Sequence, residues 1–285
     1  MRTLIEIDRV GSFQEAADRL GMTLSTVSVQ MKTLESELQF ALFDRAYRPP
    51  AMTPAARAVV RHAKTILAEV DAVRALGDEP GVLKGVLRIG FVGTASVRLL
   101  PGFLLAAGRT QPAVRFAVES GVSTDLVRRV AAADLDAAVV TESPDMPPTI
   151  RSAPIQREAF ALAVPVAARG LGLARCIAEL AFIRFLPSTG IGLLVDGYLA
   201  RYARPPRKTV TLDTVEAVMG CVNAGLGFAV LPEPDARRYA VQADVTVLDD
   251  PPLSRIVGLA VRAGGLAPGQ AEALMRLFRG DAPAA

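Results

Sequence analysis

Ser12 stands just before an apolar-periodic run and three residues ahead of Glu15, the spacing of a capping box. Phe13, Ala16, Ala17 and Leu20 then fall on one face of a helix. Gly21 ends that helix and Thr23 is placed to cap the next, whose buried stripe is Val27, Met31, Leu34 and Leu38. Two short helices joined by a glycine turn of about three residues predict a helix-turn-helix. On the second helix Ser25, Ser28, Val29 and Lys32 cluster roughly 150° from the stripe and face outward. Spacing leaves two readings of that face. It is either a solvated surface or the face that enters the major groove of double-stranded DNA. In the second case Ser28 meets a base edge, Lys32 a guanine or a phosphate, and Val29 a thymine methyl.

The run Gly11-Ser12-Phe13, Ala16-Ala17, Leu20, Thr23, Val27-Ser28, Gln30-Met31-Lys32, Leu34-Glu35, Leu38, Leu42-Phe43-Asp44-Arg45, Arg48 and Met52-Thr53 resembles the N-terminal signature of the LysR-type transcriptional regulators. The resemblance implies a winged helix-turn-helix with Arg45 and Arg48 on the wing, where cations meet phosphate and the minor groove. Three departures stand out. The chain begins later than the family usually does, Val29 replaces the common Arg or Lys, and Ala56 replaces the common Gly after the wing.

Charge does not announce a DNA-binding head. Over residues 1–48 the six bases Arg2, Arg9, Arg19, Lys32, Arg45 and Arg48 face the seven acids Glu6, Asp8, Glu15, Asp18, Glu35, Glu37 and Asp44. Few phosphate contacts per head predict weak binding by one head and compensation by several linked heads. The whole chain, 285 residues at formal net charge +3, leans only mildly toward anionic partners.

Thr53-Pro54 opens a helix with a cap and a proline at its first position. Its pattern runs to Leu76, with a seam of Val59, Ala63, Ile66, Val70 and Val73, and Gly77–Gly81 ends it. Such a seam needs a partner, either the chain's own next domain or, as the resemblance implies, the same helix of a second copy in a homodimer or homotetramer. His62 falls on the exposed side.

Beyond it strands and helices alternate: strands at 86–91, 114–119, 137–140, 160–164, 182–185, 209–212, 228–231 and 257–261, and helices at 99–110, 124–133, 191–202, 214–224 and 267–278. This predicts an α/β fold with a largely parallel sheet in two lobes. Leu87-Arg88-Ile89-Gly90, Leu100-Pro101, Pro112, Leu135-Asp136 and the run 224–232 resemble the family's effector domain, which implies a periplasmic-binding-protein-like fold crossed twice by the chain. The expected domains are residues 1–53 (DNA-binding), 54–77 (linker and dimerisation) and 81–285 (effector-binding). The first lobe of the last is placed at about 81–156 with 262–285, the second at about 157–261.

Ligands of open α/β sheets sit at strand carboxyl ends near helix N-termini. That singles out Thr94, Ser96, Ser120, Ser123, Thr141, Ser188 and Thr189, either as plain N-caps or as donors to a small-molecule effector. Phe91-Val92-Gly93-Thr94 resembles members that sense aromatic-pathway acids, which implies an organic or aromatic acid. Cys176 and Cys221 make no metal or disulfide framework, and one histidine leaves no multi-histidine metal site or ready catalytic triad. Gly190-x-Gly192 and Gly225-x-Gly227 lack the third glycine of a dinucleotide loop. No cofactor, no enzyme activity and no membrane span are expected, and the place of work is the cytoplasm. The expected function is effector-modulated promoter binding. The alternative is a small-molecule binding protein without a DNA role.

Overall fold

The computed structural model describes residues 1–47, 49–75, 81–202, 205–206, 209–267 and 269–279. The chain divides into two compact units, Met1–Glu79 with Ala132–Asp134, and Pro80–Ala131 with Leu135–Ala285.

The first unit opens with α1 (Arg2–Val10), α2 (Phe13–Leu20) and α3 (Leu24–Leu38). Gly11 and Gly21 end the first two in the left-handed region, at φ +70° and +65°, which favours glycine. Ser12 Oγ accepts the Glu15 amide at 3.3 Å, as a cap should, but the Glu15 carboxylate pairs forward with Arg19 at 2.9 Å. Strands β1 (Phe43–Asp44) and β2 (Ala51–Met52) pair antiparallel and form the wing. Then α4 (Pro54–Ala75) begins on Thr53, whose hydroxyl accepts the Ala56 amide at 3.0 Å. The expected end of this helix at Leu76, and the breaker that follows it up to Pro80, lie outside the described residues. Leu4, Val27, Met31, Leu42 and Phe43 form the core with Ala56 and Val60 of α4. At that core position Ala56 is fully buried. Toward the far end of α4, Ile66, Val70 and Val73 are exposed. His62 is exposed as well.

The second unit continues with β3 (Gly85–Val92), α5 (Gly93–Thr110), β4 (Val114–Gly121), α6 (Ser123–Ala131), β5 (Ala137–Thr141) and β6 (Ile150–Pro165). It goes on through α7 (Leu173–Glu179), β7 (Phe182–Phe185), α8 (Gly190–Leu199), β8 (Thr209–Leu212), α9 (Val215–Asn223), β9 (Ala229–Pro232), α10 (Glu233–Tyr239), β10 (Ala243–Val247), β11 (Ser254–Arg262) and α11 (Gln270–Arg279). One lobe holds the order β6-β11-β5-β3-β4, and the other holds β9 and β10 on either side of the far half of β6, with β7 and β8 as a parallel pair beside them. Separate cores fill the two. Phe91, Phe103 and Leu126 sit in the first, and Phe160, Phe182 and Phe228 in a cluster of the second.

Four expectations need correcting. The sheet is mixed, because β6 pairs antiparallel with β9, β10 and β11, and β11 does the same with β5. Strand β11 belongs to the first lobe's sheet, so the second lobe ends before Ser254 and not at 261. Helix α5 starts at Gly93, six residues earlier than expected, and carries Pro101 inside it. Gly93, Thr94, Ala95 and Ser96 therefore form its first helical turn. Strand β6 begins at Ile150, ten residues before the expected 160, because its first half is held by pairing with β11.

Candidate functional site

The outward face of α3 presents Ser25, Val29 and Lys32 to solvent, with Ser28 half-buried. Lys32 makes no hydrogen bond or ion pair among the described residues. Thr23 spends its hydroxyl on the cap, accepting the Thr26 amide at 3.1 Å. Arg45 follows β1 on the wing, with Nη2 3.3 Å from Glu35 Oε2 and most of its side chain free. Glu35 Oε1 accepts the amides of Leu42 at 2.8 Å and Phe43 at 3.1 Å, so one carboxylate fixes the wing's base to α3. A recess of about 440 Å³ lies between α3 and the wing, with Ser28, Lys32 and Arg45 among its walls. Arg48 lies outside the described residues. Two of the head's bases are neutralised on its own surface, Arg9 by Glu6 and Arg19 by Glu15. Val29, 62% exposed, gives this face an apolar point at the position where the family commonly carries Arg or Lys.

In the second unit a cleft opens between the lobes as two adjoining recesses of about 290 and 320 Å³. Thr94, Ser120, Ser123, Thr141 and Thr189 line the first, with Arg255 at its floor. Ser96 lines the second. Ser188 lines neither and points to solvent, because Thr189 takes the cap of α8 and turns inward instead. The α8 N-terminus approaches the opposite lobe closely. A Cβ on Gly190 would lie 3.4 Å from the Thr141 side chain and 3.9 Å from Ser123 Oγ.

The hydroxyls differ in what they have left to offer. Thr189 accepts the Gly192 amide and donates to the Leu186 carbonyl, so it is committed to its helix. Ser96 donates to the Gly93 carbonyl. Thr94 and Thr141 accept from Arg255, at 3.1 and 3.2 Å, and Ser123 accepts the Thr141 amide at 3.2 Å. A hydroxyl that accepts from a fixed donor keeps its own proton to give. These three are donors facing the first recess. Helix α5 adds to them, since its N-cap, Val92, has no capping side chain and its first amides remain for a ligand.

Beneath the hydroxyls lies a group that sequence reasoning missed. Arg255, whose side chain is fully buried, reaches Glu158 at 2.7 Å and Asp235 at 3.5 Å. Arg98 holds Asp235 at 3.0 Å and also bonds Glu158. Two cations and two anions thus cancel, which makes their burial tolerable. Burial works against the Glu158 charge, yet Arg255 and Arg98 outweigh it and hold that carboxyl below its usual range. For Asp235 burial wins over the same two cations and pushes the carboxyl above its usual range. The four come from α5, β6, α10 and β11, and so tie the lobes at their crossing. Sequence separations of 60 and 137 residues hide them from any local pattern.

Among the described residues no cluster of metal-ligating side chains occurs, and no helix is long and apolar enough to cross a membrane.

The model of the LysR substrate binding domain matches residues 80–283. That of the bacterial regulatory helix-turn-helix protein, lysR family, matches residues 1–57. The HTH-type transcriptional regulator YofA of Bacillus velezensis is 28% identical over 233 residues, 82% of this chain and 80% of that protein. The HTH-type transcriptional regulator IlvR of Caulobacter vibrioides is 29% identical over 283 residues, covering 95% of this chain and 94% of that one. Among solved structures, a full-length OxyR variant of Pseudomonas aeruginosa superposes with a TM-score of 0.79 at 23% identity, over 98% of this chain and 93% of that one. At that identity the likeness speaks to fold alone.

Proposed function

The chain belongs to the LysR family of DNA-binding transcriptional regulators, and from that premise we propose that its interlobe cleft receives a small carboxylate-bearing effector that modulates promoter binding. The observation that carries this is the pair Thr94 and Thr141, fixed as donors by the buried Arg255 at the mouth of an uncapped helix. Such donors suit an anion, and the helix dipole adds to them. A ligand held by both lobes binds one interlobe arrangement better than another and shifts the population toward it. The reading without a DNA role gives way to the matched helix-turn-helix of residues 1–57.

On the DNA side we assign Lys32 to phosphate or guanine and Arg45 to phosphate and the minor groove, with Ser25, Ser28 and Val29 facing base edges. Thr23 acts through the helix it caps. The exposed Ile66, Val70 and Val73 of α4 support pairing with a second copy, which links heads on one operator. The chain's work then lies on the chromosome, in the cytoplasm.

A promoter mobility shift, run with and without organic acids, tests the reading. Specific, salt-sensitive binding that changes with one acid is the expected result. Binding indifferent to every acid, in wild type and in Thr94→Val alike, would remove the cleft from the mechanism.

A further inference from the structure

Resting on that reading of the cleft, we propose that its ligand is a zwitterion, a small molecule carrying an ammonium group beside its carboxylate, as an α-amino acid does. The first recess supplies hydrogen-bond donors without a free cation, since Arg255 is already neutralised. The charges that do remain free are mostly negative. Asp213 borders both recesses, is exposed, and makes no hydrogen bond or ion pair among the described residues. Glu216 lines the second recess and is unpaired in the same sense, against one cation there, Arg238, laid 5.9 Å from the Tyr239 ring. Asp235 forms part of that wall as well, but its charge is already met by Arg98 and Arg255, so Asp213 and Glu216 are the acids left to a ligand.

A ligand with only negative charge would gain at one end of the cleft and be repelled at the other. An ammonium group removes the conflict. It gives Asp213 a partner while the carboxylate takes the donors at Thr94, Thr141 and Ser123. Phe185 lines both recesses and offers apolar surface to the remainder of the molecule. The recesses suit a compact ligand.

Thermal shift and calorimetry on the full chain test this, with each α-amino acid run beside its des-amino acid, for example L-valine beside isovalerate. At least one amino acid should raise the melting temperature and bind tenfold or more tighter than its des-amino partner. Asp213→Asn, at an exposed position, should abolish that preference. Des-amino acids that bind as well as amino acids overturn the zwitterion and leave the cleft as the effector site. A preference that survives Asp213→Asn overturns the role of Asp213. Failure of both series to bind overturns the proposal together with the reading beneath it.

Discussion

Lys32 ends in solvent on the outward face of α3, so its charge is available to a partner and is not needed by the fold. Lys32→Ala is expected to weaken promoter binding and lower the slope of log affinity against log salt by about one, with the melting temperature unchanged. A salt titration of the two proteins checks it. Glu158 is the opposite case, a charge the fold cannot lose cheaply. Its removal leaves Arg255 buried with one counter-ion fewer, and Glu158→Gln should cost about 3–5 kcal/mol in urea unfolding at neutral pH. The folded pKa of Glu158 is lowered, so its stabilising effect is present above the unfolded value and is lost as pH falls through the folded one. The penalty of the substitution should therefore shrink below about pH 4.3. Asp235, with its pKa raised, has the reverse sign: its folded form holds a proton longer, so its contribution falls as pH rises. Urea midpoints measured across pH, for each variant, separate the two.

Glycines decide how closely elements of the second lobe approach. A Cβ on Gly227 would overlap the Ala181 carbonyl oxygen, where the chain enters β7. A Cβ on Gly192 in α8 would overlap that of Leu186. The two glycine pairs that resemble a nucleotide loop are thus, at these positions, packing devices. Gly227→Ala should destabilise by roughly 1–3 kcal/mol or more, read as a fall in urea midpoint. Local signals made most elements legible before folding. Ser12, Gly21 and Thr23 punctuate the head within a few residues of the helices they bound. The first half of β6 was not legible, because its residues Pro154, Gln156 and Arg157 follow no clean alternation and its strand is made by pairing with β11 about a hundred residues on. The candidate site divides likewise. Hydroxyls at helix starts could be read from order along the chain. The ion network below them, and the outward turn of Ser188, depend on distant strands and on which residue takes the cap.

On the scale of the whole molecule, the head's near-neutral charge predicts that linkage between heads supplies much of the affinity. The face Ile66, Val70 and Val73 should carry it, since burying each such side chain contributes about 1.5–3 kcal/mol. Ile66→Glu with Val70→Glu should shift the full chain toward monomer in analytical ultracentrifugation and weaken promoter binding, while effector binding persists. Retention of the oligomer would place the pairing surface elsewhere. The shared strand β6 has a further consequence. Sixteen residues long, it is hydrogen-bonded into one lobe's sheet at its start and the other's at its end. Neither lobe can shed it and keep its own sheet. The two should melt in a single calorimetric transition, and the β6 amides should exchange with deuterium only through the opening of the entire domain. At this crossing any motion between the lobes has to twist a continuous strand, where a hinge loop would have swung freely.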